Sequence, residues 1–147
     1  VRGSGFVFGL QSNLPFRGAS WRELRRLDLA GRLAAIQNPD TAAKLIEDGK
    51  TGMLPLDLKQ VFYLGDGDTP DYAAPTEDNV AALAATAGEH FVETFLRLSR
   101  QSDGKGLFNL RMFNQSLAEL GDLFETKNIF PSLGDAGAHV SQIMDAG

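Results

Sequence analysis

The sequence predicts an α/β fold in which helices outnumber two or three short parallel strands. Short apolar segments alternate with longer helical segments along the 147 residues, and this order is typical of helices that connect parallel strands. The first apolar segment, Gly5–Leu10, is continuous rather than alternating, as in a strand whose two faces are both buried. Since 43% of the residues are hydrophobic, the chain can bury a core of single-domain size.

Three helical stretches follow the first strand. Ser20 and Glu23 match a capping box, so the first of these helices is predicted to begin at Ser20. The second is predicted to end at Asn38, because the residue before a proline avoids the helical conformation. Asp40 is predicted to cap the third helix, which Gly49 closes.

The second half of the chain repeats the alternation of strands and helices. Glycines and clusters of turn-forming residues separate its segments. The predicted order is a strand at Gln60–Leu64, a helix capped by Thr76, a helix with Phe91 and Phe95 on one face, a strand at Leu107–Phe113, a helix that begins at Asn114 or Ser116, a last strand at Ile129–Leu133 and a closing helical stretch.

The composition excludes several classes of protein. A net charge of −5 argues against a nucleic-acid partner, and the basic cluster Arg22, Arg25, Arg26 and Arg32 is interpreted as a solvated helix face. The chain has no cysteine, so it has neither disulfides nor thiolate metal ligands. No apolar run approaches the roughly 20 residues of a membrane span. We therefore expect a soluble, cytoplasmic protein without a membrane partner.

Asp135 is the main candidate for a catalytic residue. It follows an apolar strand and lies between Gly134 and Gly137, small residues that let a substrate or a metal approach a carboxylate closely. A carboxylate at the end of a strand can act as a general base towards a metal-bound water. A turn aspartate that caps the following helix explains the same pattern, and the residues by themselves favour this structural alternative.

The histidines and one asparagine are secondary candidates. His139 lies four residues after Asp135 and would share its helix face, whereas His90 is interpreted as an exposed or half-buried helix residue. Zinc needs three or four protein ligands, so two histidines cannot form a histidine-rich metal site. Asn114 follows a strand and could face the mouth of an active site or cap a helix.

The segment Ser132–Val140 resembles the aspartate motif of the N-acyl-D-amino-acid deacylase group of the amidohydrolase superfamily, amidohydrolase family 3. In the family this motif lies at the end of the last strand of the barrel. The resemblance covers nearly the whole chain. Further segments that match the family in the same order are Gly5–Leu10, Pro70–Tyr72, Glu93–Arg97, Gly104–Leu107 and Phe113–Asn114.

The resemblance implies a late segment of a metal-dependent hydrolase (β/α)8 TIM barrel, in which residues 1–147 are a single partial domain that ends just after the last catalytic strand. It implies that Asp135 ends the eighth strand, activates a zinc-bound water against the amide of an N-acyl-D-amino acid and then protonates the leaving amine. Gly134 stands where the family has serine, and His139 matches a family histidine. Gly137 and Asn114 would lie around the substrate.

The chain also departs from the family. The family's metal-binding histidines, its cysteine or carboxylated lysine and its substrate-binding arginine are not identified in the sequence. We therefore expect zinc in the parent enzyme but none on this chain alone, which should be inactive by itself. The alternatives are a non-catalytic helical binding module derived from the barrel, and a small enzyme that uses Asp135 and His139 without a metal. Uncovered strand edges should favour self-association.

Overall fold

The structure is a computed structural model that describes residues 4–66, 69–73, 75–113, 116–130 and 143–146. These residues form six α-helices, four strands and two short 3-10 turns. The elements in chain order are β1 (Ser4–Gly9), α1 (Ala19–Arg25), α2 (Leu29–Gln37), α3 (Pro39–Thr51), β2 (Val61–Tyr63), α4 (Val80–Ala87), α5 (Phe91–Gln101), β3 (Leu107–Phe113), α6 (Leu117–Glu125) and β4 (Ile143–Ala146), with the 3-10 turns at Leu58–Gln60 and Thr76–Asp78.

The four strands form one sheet in the order β2-β3-β1-β4, and every neighbouring pair is antiparallel. Phe8 pairs with Phe108 across β1 and β3, and Val61 pairs with Leu110 across β2 and β3. The predicted fold class, an α-rich TIM-barrel fragment with two or three short parallel strands, is therefore wrong. The chain forms a small mixed α/β domain with an antiparallel sheet.

The continuous apolar sequence of β1 has a different cause from the predicted one. One face of the sheet, which we call the inner face, packs on the helices and contains Phe8, which is fully buried. The opposite outer face contains Val7, which is only 1% exposed. Because both faces are covered, apolar residues occur at consecutive positions even though the sheet is antiparallel.

Aromatic side chains from the sheet and the helices form the centre of the core. Phe95 of α5 is fully buried, and its ring centroid lies 5.0 Å from that of Phe108 and 5.2 Å from that of Phe16. The Phe16 ring in turn lies 4.3 Å from Trp21 of α1. Ring pairs at these separations stabilise a core beyond the area that they bury, and here they join the sheet to α1 and α5.

The helices begin at caps that differ in part from the predicted ones. The side chains that accept a hydrogen bond from the backbone of the first turn are Asp28 for α2, Asn38 for α3, Asn79 for α4, His90 for α5 and Ser116 for α6. The end of α2 before Pro39 is confirmed. Asp40 and Thr76 are not the caps of α3 and α4, and Gly49 lies inside α3 rather than at its end.

The predicted capping box at Ser20 is also wrong. The helix begins one residue earlier, with Gly18 in the N-cap position. The Ser20 hydroxyl donates to Asp48 of α3 at 2.7 Å, a residue distant in sequence. The start of α1 is therefore stabilised by a carboxylate on a neighbouring helix and not by the local capping box predicted from Ser20 and Glu23.

The last part of the chain differs from its prediction as well. Residues 129 and 130 are not in a strand, and residues 131–133 of the predicted last strand lie outside the described residues. Ile143–Ala146, expected to be helical, is strand β4 and pairs with β1. No helix in the described part of the chain combines the length and the apolar character needed to cross a membrane.

Candidate functional site

The residues that the sequence proposed for the site are Asp135, Gly134, Gly137, His139 and Asn114. All five lie outside the described residues, so their proposed roles stay predictions from the sequence. Among the described residues, polar side chains cluster at four places: the start of α5, the α4–α5 turn, the α1–α3 contact and the outer face of the sheet.

His90 lies at the start of α5 rather than inside a helix. Its Nδ1 atom accepts a hydrogen bond from the Val92 N–H at 3.3 Å, and the Glu93 carboxylate accepts one from the His90 N–H at 2.8 Å. Glu93 also lies 3.5 Å from the Lys50 ammonium group. His90 is thus part of a capping box. In the described ranges, no group of three histidine, aspartate or glutamate side chains could hold a metal.

Glu89 anchors the turn between α4 and α5. Its carboxylate accepts hydrogen bonds from the Arg97 Nε at 3.0 Å and from the Thr94 hydroxyl at 2.9 Å. The hydrogen bond from Arg97 is the main cause that lowers the pKa of Glu89. Both donors belong to α5, the helix that follows Glu89. The cluster therefore stabilises the connection between α4 and α5 and forms no open site.

Asp48 of α3 fixes the beginning of α1. Its carboxylate accepts hydrogen bonds from the Ser20 hydroxyl at 2.7 Å and from the Ser20 backbone N–H at 2.8 Å. The hydroxyl contact is the main cause that lowers the pKa of Asp48, and the backbone contact acts in the same direction. The carboxylate satisfies an N–H at the start of a helix, so the serine–aspartate pair has a structural function.

The outer face of the sheet contains two buried polar side chains on β3. Asn109 is 4% exposed and Arg111 is 7% exposed. The guanidinium carbon of Arg111 lies 3.6 Å from the centre of the Phe62 ring, and one of its N–H groups donates to the Tyr72 carbonyl at 3.1 Å. Burial lowers the pKa of Arg111, because removal from water disfavours the charged form.

The Asn109 side chain has an unusual environment. Its Oδ1 atom is buried and has no hydrogen-bond partner. Gly5 faces it from β1, and a Cβ atom added at Gly5 would lie 2.1 Å from Oδ1. The missing side chain of Gly5 is therefore what gives the amide its room. The outer face of β3 thus contains a buried acceptor without a partner at Asn109 and, two residues further along, the buried guanidinium of Arg111.

Neither Asn109 nor Arg111 is among the residues proposed for the site from the sequence. The sequence does contain an indication, since Asn109 and Arg111 alternate with Phe108 and Leu110 in an otherwise apolar strand. Alternation at a period of two puts the polar pair on one face. What the sequence could not show is that other parts of the chain bury this face.

The chain matches no known protein family, no curated protein and no solved structure in the three comparisons made with it.

Proposed function

We propose that this chain supplies Asp135 as the general base and acid of a metal-dependent amidohydrolase that cleaves the amide bond of N-acyl amino acids. The observation that supports it is the segment Ser132–Val140, in which Asp135 is followed by three small residues, a glycine among them, and then by His139. Preference for the D-configuration belongs to the same proposal and rests on the family resemblance alone.

The role of Asp135 is proton transfer. A carboxylate within hydrogen-bond reach of the attacking water can accept its proton and later give a proton to the departing amine nitrogen. This sequence lets the amine leave as a neutral group and returns the carboxylate to its starting state. Gly134 and Gly137 carry no side chains that would crowd the carboxylate.

The described residues do not fit a zinc site. The chain contains two histidines, and the Nδ1 atom of His90 is already engaged in the cap of α5. The proposal therefore assigns only the carboxylate to this chain. The antiparallel sheet also removes the barrel-strand argument for Asp135, so the proposal depends on the motif itself.

A second candidate is a non-catalytic interaction module. The observation that favours it is the aromatic core around Phe95 and Phe108, which the sheet and helices close without any further part of a barrel. Self-association through sheet edges belongs to this candidate. The edge strands are β2 and β4, and the outer edge of β2 is partly occupied by a bridge between Phe62 and Asn79, which leaves β4 as the edge to test.

Hydrolysis by the complete product of the gene that encodes this chain tests the first candidate. Release of free amine from N-acetyl-D- and N-acetyl-L-amino acids is measured with added zinc and after chelation. Asp135→Asn should lower kcat at least about hundredfold, the usual minimum contribution of a general base. Asp122→Asn, an exposed aspartate on α6, is the matched control and should leave the rate unchanged.

The outcomes separate the two candidates. Equal activity of Asp135→Asn and the unmodified protein removes the role of Asp135, and absence of hydrolysis across the panel favours the interaction module. The expected cytoplasmic location is part of the same proposal, and fractionation of cells that express the gene tests it.

A further inference from the structure

We propose that four arginines around α1 bind a small soluble ligand that carries phosphate groups, and we call them the arginine patch: Arg17, Arg22, Arg25 and Arg32. The site goes beyond the proposed function, because it uses neither Asp135 nor a metal. The basic cluster of the sequence shares three of these residues, whereas its remaining member, Arg26, forms an ion pair with Glu23 at 2.8 Å.

Backbone carbonyls hold two of the four guanidinium groups in place. Arg25 donates to the carbonyl of Leu14 at 2.9 Å and to that of Phe16. Arg32 donates to the carbonyl of Leu10 at 2.8 Å. A guanidinium is always charged in proteins, whereas a carbonyl carries no net charge. These hydrogen bonds therefore fix the positions of two cations without neutralising them, and a ligand that binds them has less ordering to bring about.

The same contacts bring the four arginines together. Arg17 directly follows Phe16, whose carbonyl Arg25 binds. Arg22 lies three residues before Arg25 on α1, a spacing that makes side chains neighbours on a helix. Arg32 donates to the Arg25 carbonyl at 3.0 Å. Burial lowers the pKa of Arg25, and the charges of Arg32, Arg17 and Arg22 lower it further, as expected of cations that repel one another.

The carboxylates beside the patch are engaged in helix caps. Asp28 accepts a hydrogen bond at 2.8 Å from the first turn of α2. Asp48 is bound by Ser20, and behind those contacts the charge of Arg22 also lowers the pKa of Asp48. The Arg17 and Arg22 side chains are exposed and form no hydrogen bond or ion pair with the described residues. The patch therefore keeps a surplus of positive charge.

A phosphate-bearing ligand matches this surplus. The fork of a guanidinium binds two oxygens of a phosphate group, and a cluster of like charges attracts ions of the opposite sign. Because Arg17 and Arg22 are exposed, the ligand can bind at the surface and needs no cavity. A small ligand is favoured over an extended polyanion, since the net charge is −5 and residues 60–96 contain Asp and Glu but no Lys or Arg.

Calorimetric titration of the full chain with tripolyphosphate and with inorganic phosphate, at one ionic strength set by chloride, tests the ligand chemistry. We expect saturable binding of tripolyphosphate that is about tenfold tighter than that of phosphate and that weakens as salt is added. Vesicles of phosphatidylcholine with and without a phosphoinositide distinguish a lipid headgroup from a soluble ligand. Absence of tripolyphosphate binding, or binding to the phosphoinositide vesicles alone, would overturn the proposal.

Two double variants test the residues. Arg17→Gln/Arg22→Gln removes two exposed charges, so the fold should persist while tripolyphosphate binds about tenfold more weakly. Lys59→Gln/Lys127→Gln removes two exposed charges on other elements and is the matched control, with unchanged affinity. Arg22 and Arg25 also lie in the last turn of α1, where cations stabilise a helix. A lower melting temperature with unchanged affinity in Arg17→Gln/Arg22→Gln would assign the patch to that structural role, and equal weakening in both double variants would reduce it to net charge. Either result would overturn the site.

Discussion

The antiparallel pairing of β2 and β3 can be tested by cross-linking, because the chain contains no cysteine that would interfere. Val61 is the direct partner of Leu110, and Tyr63 is the partner of Phe108. Cysteines at positions 61 and 110 would therefore face each other within the distance that a disulfide spans. Met112 lies four residues beyond Phe108, roughly 13 Å along the strand, so cysteines at positions 63 and 112 should stay reduced.

The free energy by which the disulfide stabilises the fold follows from the length of chain that the cross-link closes. Positions 61 and 110 enclose about 50 residues, and the chain-entropy model gives about 4 kcal/mol of stabilisation for such a loop. Comparison of the oxidised and reduced forms of the same Val61→Cys/Leu110→Cys variant cancels the loss of the original side chains. The melting temperature should fall by roughly 10 °C when the disulfide is reduced.

Free-thiol titration and thermal unfolding with and without reductant provide the measurement. A parallel arrangement that keeps Val61 beside Leu110 would put Tyr63 beside Met112. Spontaneous oxidation of Tyr63→Cys/Met112→Cys, combined with two free thiols in Val61→Cys/Leu110→Cys, would therefore refute the described register and strand direction.

Two further predictions concern the contacts of α3. Gly49→Ala should destabilise the protein by about 1–2 kcal/mol, because the new Cβ would lie 2.5 Å from a Val92 methyl group and overpacking outweighs the better helix propensity of alanine. Val92→Ala is itself destabilising because Val92 is fully buried, but it removes the clashing methyl group. In urea unfolding the double variant should therefore lose less stability than the sum of the two single losses, and an additive loss would contradict the contact. Ser20→Ala should raise the pKa of Asp48 towards its usual value. A lowered carboxyl pKa stabilises the fold above the unfolded pKa, and this stabilisation is lost as the pH falls through the folded pKa. The variant should therefore be less stable than the original protein at pH 7 and nearly equal to it at pH 2. A pH-independent difference in the urea midpoint would show that the Asp48 carboxylate is not the cause.

The sequence predicted where most strands lie but not how they pair. Gly5–Leu10 and Leu107–Phe113 coincide with β1 and β3 within one residue at either end. Their direction was wrong because an apolar run reports burial of both faces, and an antiparallel sheet produces the same pattern when its outer face is covered, as at Val7. The local sequence does not indicate which part of the chain will pack against each face of a strand.

Helix boundaries were predictable where the cause is local. Pro39 ended α2 as expected, because its ring restricts the residue before it. The start of α1 was not predictable, since the carboxylate that fixes it belongs to Asp48, distant in sequence. The polar pair on β3 shows the same limit: alternation indicates that Asn109 and Arg111 share a face, but only the folded chain shows Oδ1 without a partner.

The strand order has a consequence for synthesis of the protein. β1 pairs only with β3 and β4 among the described elements, and the first residue of β3 leaves the ribosome about 100 residues after β1. At roughly 5–20 residues per second, β1 is without a partner for about 5–20 s. During that time Phe6 and Phe8 have no sheet to join, so a nascent chain arrested before Leu107 should bind a chaperone that recognises apolar segments, and one arrested well after Phe113 should not.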